Sequence, residues 1–418
     1  MFQASRNIFF VLAAVGIVAA LGYAPGPREI GTPAFAAERP EEAEEPAEGD
    51  VPEELPEVAG REYPATFYPN EPLAKDEIRL IMLGTGSPFA TKAQAGSCIL
   101  VETGNGEKLL FEIGSGSHAN FASLGIPYRD VTKIFVGHLH ADHVGDLDVF
   151  WAAGVGLGRV TPLHVWGPAG PTPELGTAAF VENFTKTWEW DRRSRQGYAP
   201  AGGEVVEAHE FDLLNGPRTQ VVYEENGVKI TAFPAVHIID GACSYRLDWN
   251  GLSMAFSSDT KPNKWMVENA QGVDVLIHEV FATPEVFARR TGMSLSVARN
   301  VVYGAHTPPE GVAEVFSLTK PKLAVGYHTW VNFDVVAGIR DVVRKTYDGP
   351  FVIARDLMVF NISEDGVYAR MAAVDQIPWP VIPEHEAHAG VAKPYPMSKW
   401  LLEGVIPVER VRAGIEEQ

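Results

Sequence analysis

Cysteine is nearly absent from this chain. Its 418 residues hold two, Cys98 and Cys243, too few for a zinc ribbon or a disulfide-rich scaffold. They can form one bridge, but two buried free thiols are the expectation. Positive charge is also scarce: 34 Lys and Arg stand against 54 Asp and Glu, a net charge of −20. Such a chain offers no basic surface strong enough to dominate the binding of nucleic-acid phosphates, so nucleic acid is not an expected partner. Hydrophobic content is 46%, enough for a large globular core.

Long apolar runs are scarce too, apart from IFFVLAAVGIVAALGYA, Ile8 to Ala24, which follows Arg6. With the small residues of PAFAAE after it, this run suits an export signal cleaved after Ala36. It is long for a signal core and slightly short for a spanning helix, so an uncleaved membrane anchor is the alternative. Either way the folded part is expected outside the cytoplasm, periplasmic or extracellular. Glu38 to Val58 carries ten acidic residues and one arginine. A segment so charged and proline-bearing buries too little apolar surface to fold. The expected organisation is a signal or anchor over 1–37, an acidic linker over 38–75, a catalytic domain over 76–372 and a proline-rich extension over 373–418. A homodimer is expected.

Against these absences stands a concentration of ligating groups. FVGHLHADHVGD, Phe135 to Asp146, places His138, His140, Asp142 and His143 within six positions. The run before it, VTKIFV, is β-branched and apolar, as a buried strand should be. The cluster therefore falls where a strand gives way to a loop, and a rigid scaffold holds such positions still. Neutral imidazole and carboxylate are ligands that zinc, manganese and iron accept. On an extended segment His138 and His140 face the same way, while Asp142 and His143 lie past the bend and point to a second position.

Further strands carry ligating residues at their ends: His237 after GVKITAFPAV, Asp259 after LSMAFSS, His278 in VDVLIHEV and His328 after KLAVGY. His278, just after VDVLI, reads as a buried structural histidine. IRLIMLG, SCILVET and KLLFEIG read as strands joined by short turns, and EGVAEVFS as a helix. Strands and helices alternate in two successive halves, which implies a layered α/β domain with its site along one edge of the sheets. Gly167 to Glu225 reads as an irregular insertion, a lid or substrate arm. Its Arg192, Arg193 and Arg195 read either as an anion site or as a solvated charge cluster. His385 and His388, in the extension, read as surface residues.

In order, LGTGSP, HLHADH, PAVHIIDGACSYRL, AFSSDT and VGYHTW resemble the motifs of metallo-β-lactamase-fold hydrolases, in the branch of tRNase Z and the secreted arylsulfatases. The resemblance covers about Asp76 to Ala372. A fainter similarity runs to metallo-hydrolases encoded with guanitoxin biosynthesis. The resemblance implies an αββα sandwich and two divalent metal ions, usually zinc. One ion would be held by His138, His140 and His237, the other by Asp142, His143 and His328, with Asp259 bridging. LIHEV and AHTPPEGVAEVF resemble the loops near the scissile bond in tRNase Z relatives, with His306 in the place of a catalytic histidine. Two positions depart from the family pattern: Glu112 stands for the usual Asp at the end of the third strand, and Ser258 for the Gly before the bridging Asp. The arm that binds tRNA in tRNase Z is not recognisable in the insertion.

The function expected is hydrolysis by a hydroxide held between two metals, with Asp142 in the catalytic centre and His306 protonating the leaving group, oriented by Glu279. Phosphodiesters and sulfate esters are the first substrate classes, as small molecules. Lactone or β-lactam opening is the second enzymatic reading. A non-catalytic exported metal-binding protein and an iron oxygenase are the rivals from other classes.

Overall fold

The computed structural model describes residues 63–89, 91–379 and 393–405. The apolar run at 8–24, the acidic segment at 38–58, His385 and His388 lie outside the described residues. Among the described residues no helix is long and apolar enough to cross a membrane.

The strands fall into two sheets in three runs of chain. First come β1 (Thr66–Phe67), β2 (Ile78–Gly84), β3 (Cys98–Thr103), β4 (Lys108–Phe111), β5 (Lys133–Phe135), β6 (Leu163–Pro168) and β7 (Val206–Phe211). The chain then builds the second sheet from β8 (Gln220–Glu225), β9 (Val228–Pro234), β10 (Cys243–Trp249), β11 (Leu252–Phe256), β12 (Val275–Glu279), β13 (Leu323–Tyr327) and β14 (Phe351–Ile353). It returns to the first with β15 (Met358–Ser363) and β16 (Gly366–Ala372). The orders are β1-β16-β15-β2-β3-β4-β5-β6-β7 and β14-β13-β12-β11-β10-β9-β8. β2 and β3 are buried at every residue, because both faces of the first sheet are covered, so their sequences are mostly apolar on both faces, with Arg79 and Glu102 buried as an ion pair at 2.7 Å.

Between the sheets Phe111, Phe135 and Trp166 form a stack, with ring centroids 5.3 Å and 4.9 Å apart. Tyr245 and Phe256 of the opposite sheet meet Phe111 edge-on. Each such buried ring stabilises the sandwich by about 1.5–3 kcal/mol. The outer face of the first sheet packs on the helices Ser117–Ser123 and Leu147–Gly156 through Phe121, Phe150 and Trp151. The outer face of the second packs on Lys264–Asn269, Pro309–Thr319 and Phe333–Val343 through Met266, Phe316 and Ile339. The layers are helix, sheet, sheet, helix, the αββα sandwich implied by the motifs.

Two expectations need correction. Folded chain begins well before Asp76. β1 pairs with β16, and the guanidinium of Arg370 bonds both oxygens of Glu71 at 2.7 and 2.6 Å and the carbonyls of Pro64 and Thr66. The end of the supposed linker thus closes the first sheet. The Gly167–Glu225 segment is not irregular either. It holds the helices Thr177–Thr187 and Glu189–Ser194, the edge strand β7, paired in parallel with β6, and β8 of the second sheet. Its mixed composition reflects an edge position, where one side of each element meets solvent.

Candidate metal centre

The site lies where β5, β9, β11, β12 and β13 end, and turn geometry aims its side chains. Glu112, Ser258 and His328 are non-glycine residues in the left-handed region, at φ 64°, 51° and 59°. Each follows closely on a strand, and a conformation that costs about 1–3 kcal/mol persists only where its surroundings hold it. Glycine is required where chains meet: a Cβ on Gly114 would sit 1.9 Å from the Asp142 carbonyl oxygen, and one on Gly137 2.3 Å from Ser258 Oγ.

Seven side chains converge as two groups around one carboxylate. His138, His140, His237 and Asp259 form the first, and Asp142, His143, His328 and Asp259 the second. Asp259 divides its oxygens between them. Oδ2 lies 3.9 Å from both His138 Nε2 and His237 Nε2. Oδ1 lies 3.3 Å from His143 Nε2 and 3.2 Å from His328 Nε2. His328 Nε2 is also 3.2 Å from Asp142 Oδ2, and His138 Nε2 is 3.0 Å from His140 Nδ1. Such separations suit atoms that share an ion at about 2.0–2.2 Å each.

The residues fit two divalent cations. Both Asp259 oxygens, His143 Nε2 and His237 Nε2 are buried without a hydrogen-bond partner, a state that costs free energy unless a cation completes it. Outer contacts fix which nitrogen each ring offers. His237 Nδ1 donates to the Ala305 carbonyl, leaving Nε2 for metal. Burial pulls the His237 pKa down to about 4, against the pull of Asp259. It also holds His138 well below the usual range, so both rings are neutral, the form that can ligate a metal.

The two departures from the family pattern touch each other. Ser258 Oγ donates to Glu112 Oε1 at 2.8 Å and lies 3.2 Å from His138 Nδ1. Glu112 Oε1 also accepts from Gly137 N and lies 3.3 Å from His143 Nδ1. Together they back one ligand from each metal group.

His306 and Glu279 are not remote from this centre. His306 Nδ1 is 3.0 Å from Glu279 Oε2 and 3.8 Å from Asp259 Oδ2. Burial lowers the His306 pKa, but the Glu279 carboxylate outweighs burial and the group is raised to about 9. Phe281 stacks on the imidazole at 4.2 Å. His278 is a buried core histidine: its Nδ1 bonds the Glu279 carbonyl and its ring meets Phe316. The arginines of the insertion are engaged locally, Arg192 and Arg193 with Glu189 and Arg195 with Asp191. They form the solvated cluster rather than an anion site. Both cysteines are buried and free.

Sequence reasoning missed Phe281, and it missed Asp356. The latter accepts from Thr85 N, Thr85 Oγ1, Ala95 N and Asn120 Nδ2, which pins the LGTGSP turn under the site. Neither carries a local pattern signal, since each acts on a segment distant in sequence.

The family described as Anti-Pycsar protein Apyc1 matches residues 78–156. The chain is 30% identical over 215 residues to the ribonuclease Z of Mycolicibacterium gilvum, an alignment covering 49% of this chain and 68% of that one. It is 32% identical over 212 residues to the ribonuclease Z of Mycobacterium avium, covering 49% and 70%. The chain belongs to the ribonuclease Z family. Its fold is also that of the metallo-β-lactamase fold protein YhfI from Bacillus subtilis, at TM-score 0.50 and 17% identity over 68% of this chain and 100% of that one. This ribonuclease Z relative is a metallo-β-lactamase-fold, metal-dependent hydrolase.

Proposed function

We propose that the protein hydrolyses phosphodiesters with two zinc ions, held by His138, His140 and His237 and by Asp142, His143 and His328, with Asp259 between them. The observation that carries this reading is the pairing of that donor set with the His306–Glu279 dyad beside it. Bound there, the two ions supply Lewis acidity and a water whose pKa falls near neutral. The chain supplies the rest. Glu279 holds His306 in place through Nδ1, Phe281 fixes the ring plane, and the imidazolium gives its proton to the departing oxygen. Relatives named ribonuclease Z support a diester as the substrate class. An exported location rests on the sequence of the first 37 residues.

The test is hydrolysis of bis-p-nitrophenyl phosphate by zinc-loaded full-length protein, with p-nitrophenyl sulfate and a p-nitrophenyl ester in parallel. Turnover of the diester that falls to background in Asp259→Ala is the expected result. Protein that binds two ions yet cleaves only the sulfate or the carboxylic ester would overturn the reading.

A further inference from the structure

A cavity of about 410 Å³ opens beside the first metal group, with His138, His140 and His237 in its wall. No lysine or arginine lines it, and its charged residues are Glu174 and Asp240. Its large hydrophobic lining residues are Leu139, Leu175, Phe180, Ile238 and Ile239. Leu139 stands between two ligands in sequence, and Ile238 and Ile239 directly follow a third, so this wall is continuous with the metal group. Leu175, Ile238 and Ile239 are 51%, 61% and 58% exposed. Clustered apolar exposure of that kind marks a binding surface rather than chance.

We infer that this cavity holds an uncharged, apolar substituent of a monoanionic diester, specifically the one that stays on phosphorus. The inference rests on the phosphodiesterase reading. Two observations fix the assignment. First, within this cavity the metal group would be the only cation, and it would serve the reacting phosphate; Arg218 lines the adjoining cavity instead. A second phosphate in the cavity would meet two carboxylates and no counter-charge, which disfavours a polynucleotide chain. Second, His306 does not line the cavity, so the group it protonates departs elsewhere. In the step, a water oxygen bonds to phosphorus and releases one proton to solvent, which returns a proton to His306 after turnover, and the bond from phosphorus to the leaving oxygen breaks. That oxygen takes the His306 proton, and the apolar group remains as a phosphomonoester.

The experiment uses zinc-loaded full-length protein and a series of methyl, ethyl, propyl and butyl p-nitrophenyl phosphates. Alongside it, calorimetry compares dimethyl with dibutyl phosphate as ligands that need no turnover. Burial of each methylene is expected to raise kcat/KM about fourfold, and dibutyl phosphate to bind at least about tenfold tighter than dimethyl phosphate. Ile239→Asp and Leu175→Asp, both at exposed positions, are expected to flatten the series. Turnover with a flat series in the unsubstituted protein, or a slope unchanged in both variants, would overturn the pocket assignment. Length-dependent binding without turnover would keep the pocket and overturn the hydrolase reading.

Discussion

His306 differs from the seven ligands in what it faces. Its Nδ1 is taken by Glu279 at 3.0 Å, and its ring is sandwiched against Phe281. A histidine so fixed, with its pKa raised by the Glu279 carboxylate, suits the proton-donor role proposed for it. A proton donor matters in proportion to how poor the leaving group is, because p-nitrophenolate departs well without one. His306→Ala is therefore expected to lower kcat/KM by about 10²–10⁴ for a diester with an alkyl leaving group. The loss should be less than about tenfold for p-nitrophenolate. Alcohol release followed by NMR and nitrophenolate release followed by absorbance give the two numbers. Equal losses would assign His306 a structural role. The seven converging side chains were legible in the sequence as candidates because each group draws on short motifs: HLHADH supplies four side chains in six positions, and Asp259, His237 and His328 each follow a readable strand. Glu112 and Ser258 were legible as departures, but not as partners. Nothing local says that residues 146 positions apart share a hydrogen bond.

Among elements, the least legible is β1. Two residues carry no period, and the acidic, proline-bearing sequence before it drew the expected boundary down to Asp76. What makes Thr66–Phe67 a strand is tertiary: Arg370 of β16, buried, finds nearly all its partners between Pro64 and Glu71. The same holds for the insertion, where Leu175 and Phe180 line a cavity with His138, His140 and His237 and where β7 pairs with β6. Edge elements are set by what they pack on, and composition alone reads them as loop. A chain starting at Asp76 loses β1 and Glu71 and leaves the Arg370 guanidinium buried with Asn361 as its remaining side-chain partner. Arg370 is buried but Glu71 is part-exposed, so the loss is smaller than the about 3–5 kcal/mol of a fully buried pair. The expected outcome is that protein starting at Tyr63 melts several degrees above protein starting at Asp76, with Glu71→Gln in between. Equal melting temperatures would show that β1 does not close the sheet in solution.

For the whole molecule, the metal centre is a joint between halves. His138, His140, Asp142 and His143 follow β5 of the first sheet, whereas His237, Asp259 and His328 follow β9, β11 and β13 of the second. Two ions bound as proposed would tie the sheets at one edge of the shared apolar core, in a chain whose net charge is already −20. Binding to the folded state alone stabilises it by about 2.7 kcal/mol when free metal is a hundredfold above Kd. The ions must also displace a proton. Without metal, burial works against charge on His143, but Asp259 and Glu112 outweigh it and hold the ring protonated, well above the usual histidine range. Metal binding therefore releases that proton, and falling pH opposes binding. Zinc is expected to raise the melting temperature of chelator-stripped protein, more at pH 8 than at pH 6. Calorimetry in buffers of different ionisation enthalpy should register the released proton directly. In Asp259→Ala the gain should largely vanish, because the variant removes the one ligand that belongs to both groups. A gain that is the same at both pH values, with no proton released, would mean that the ions do not enter through His143 and that the second group is not a metal site.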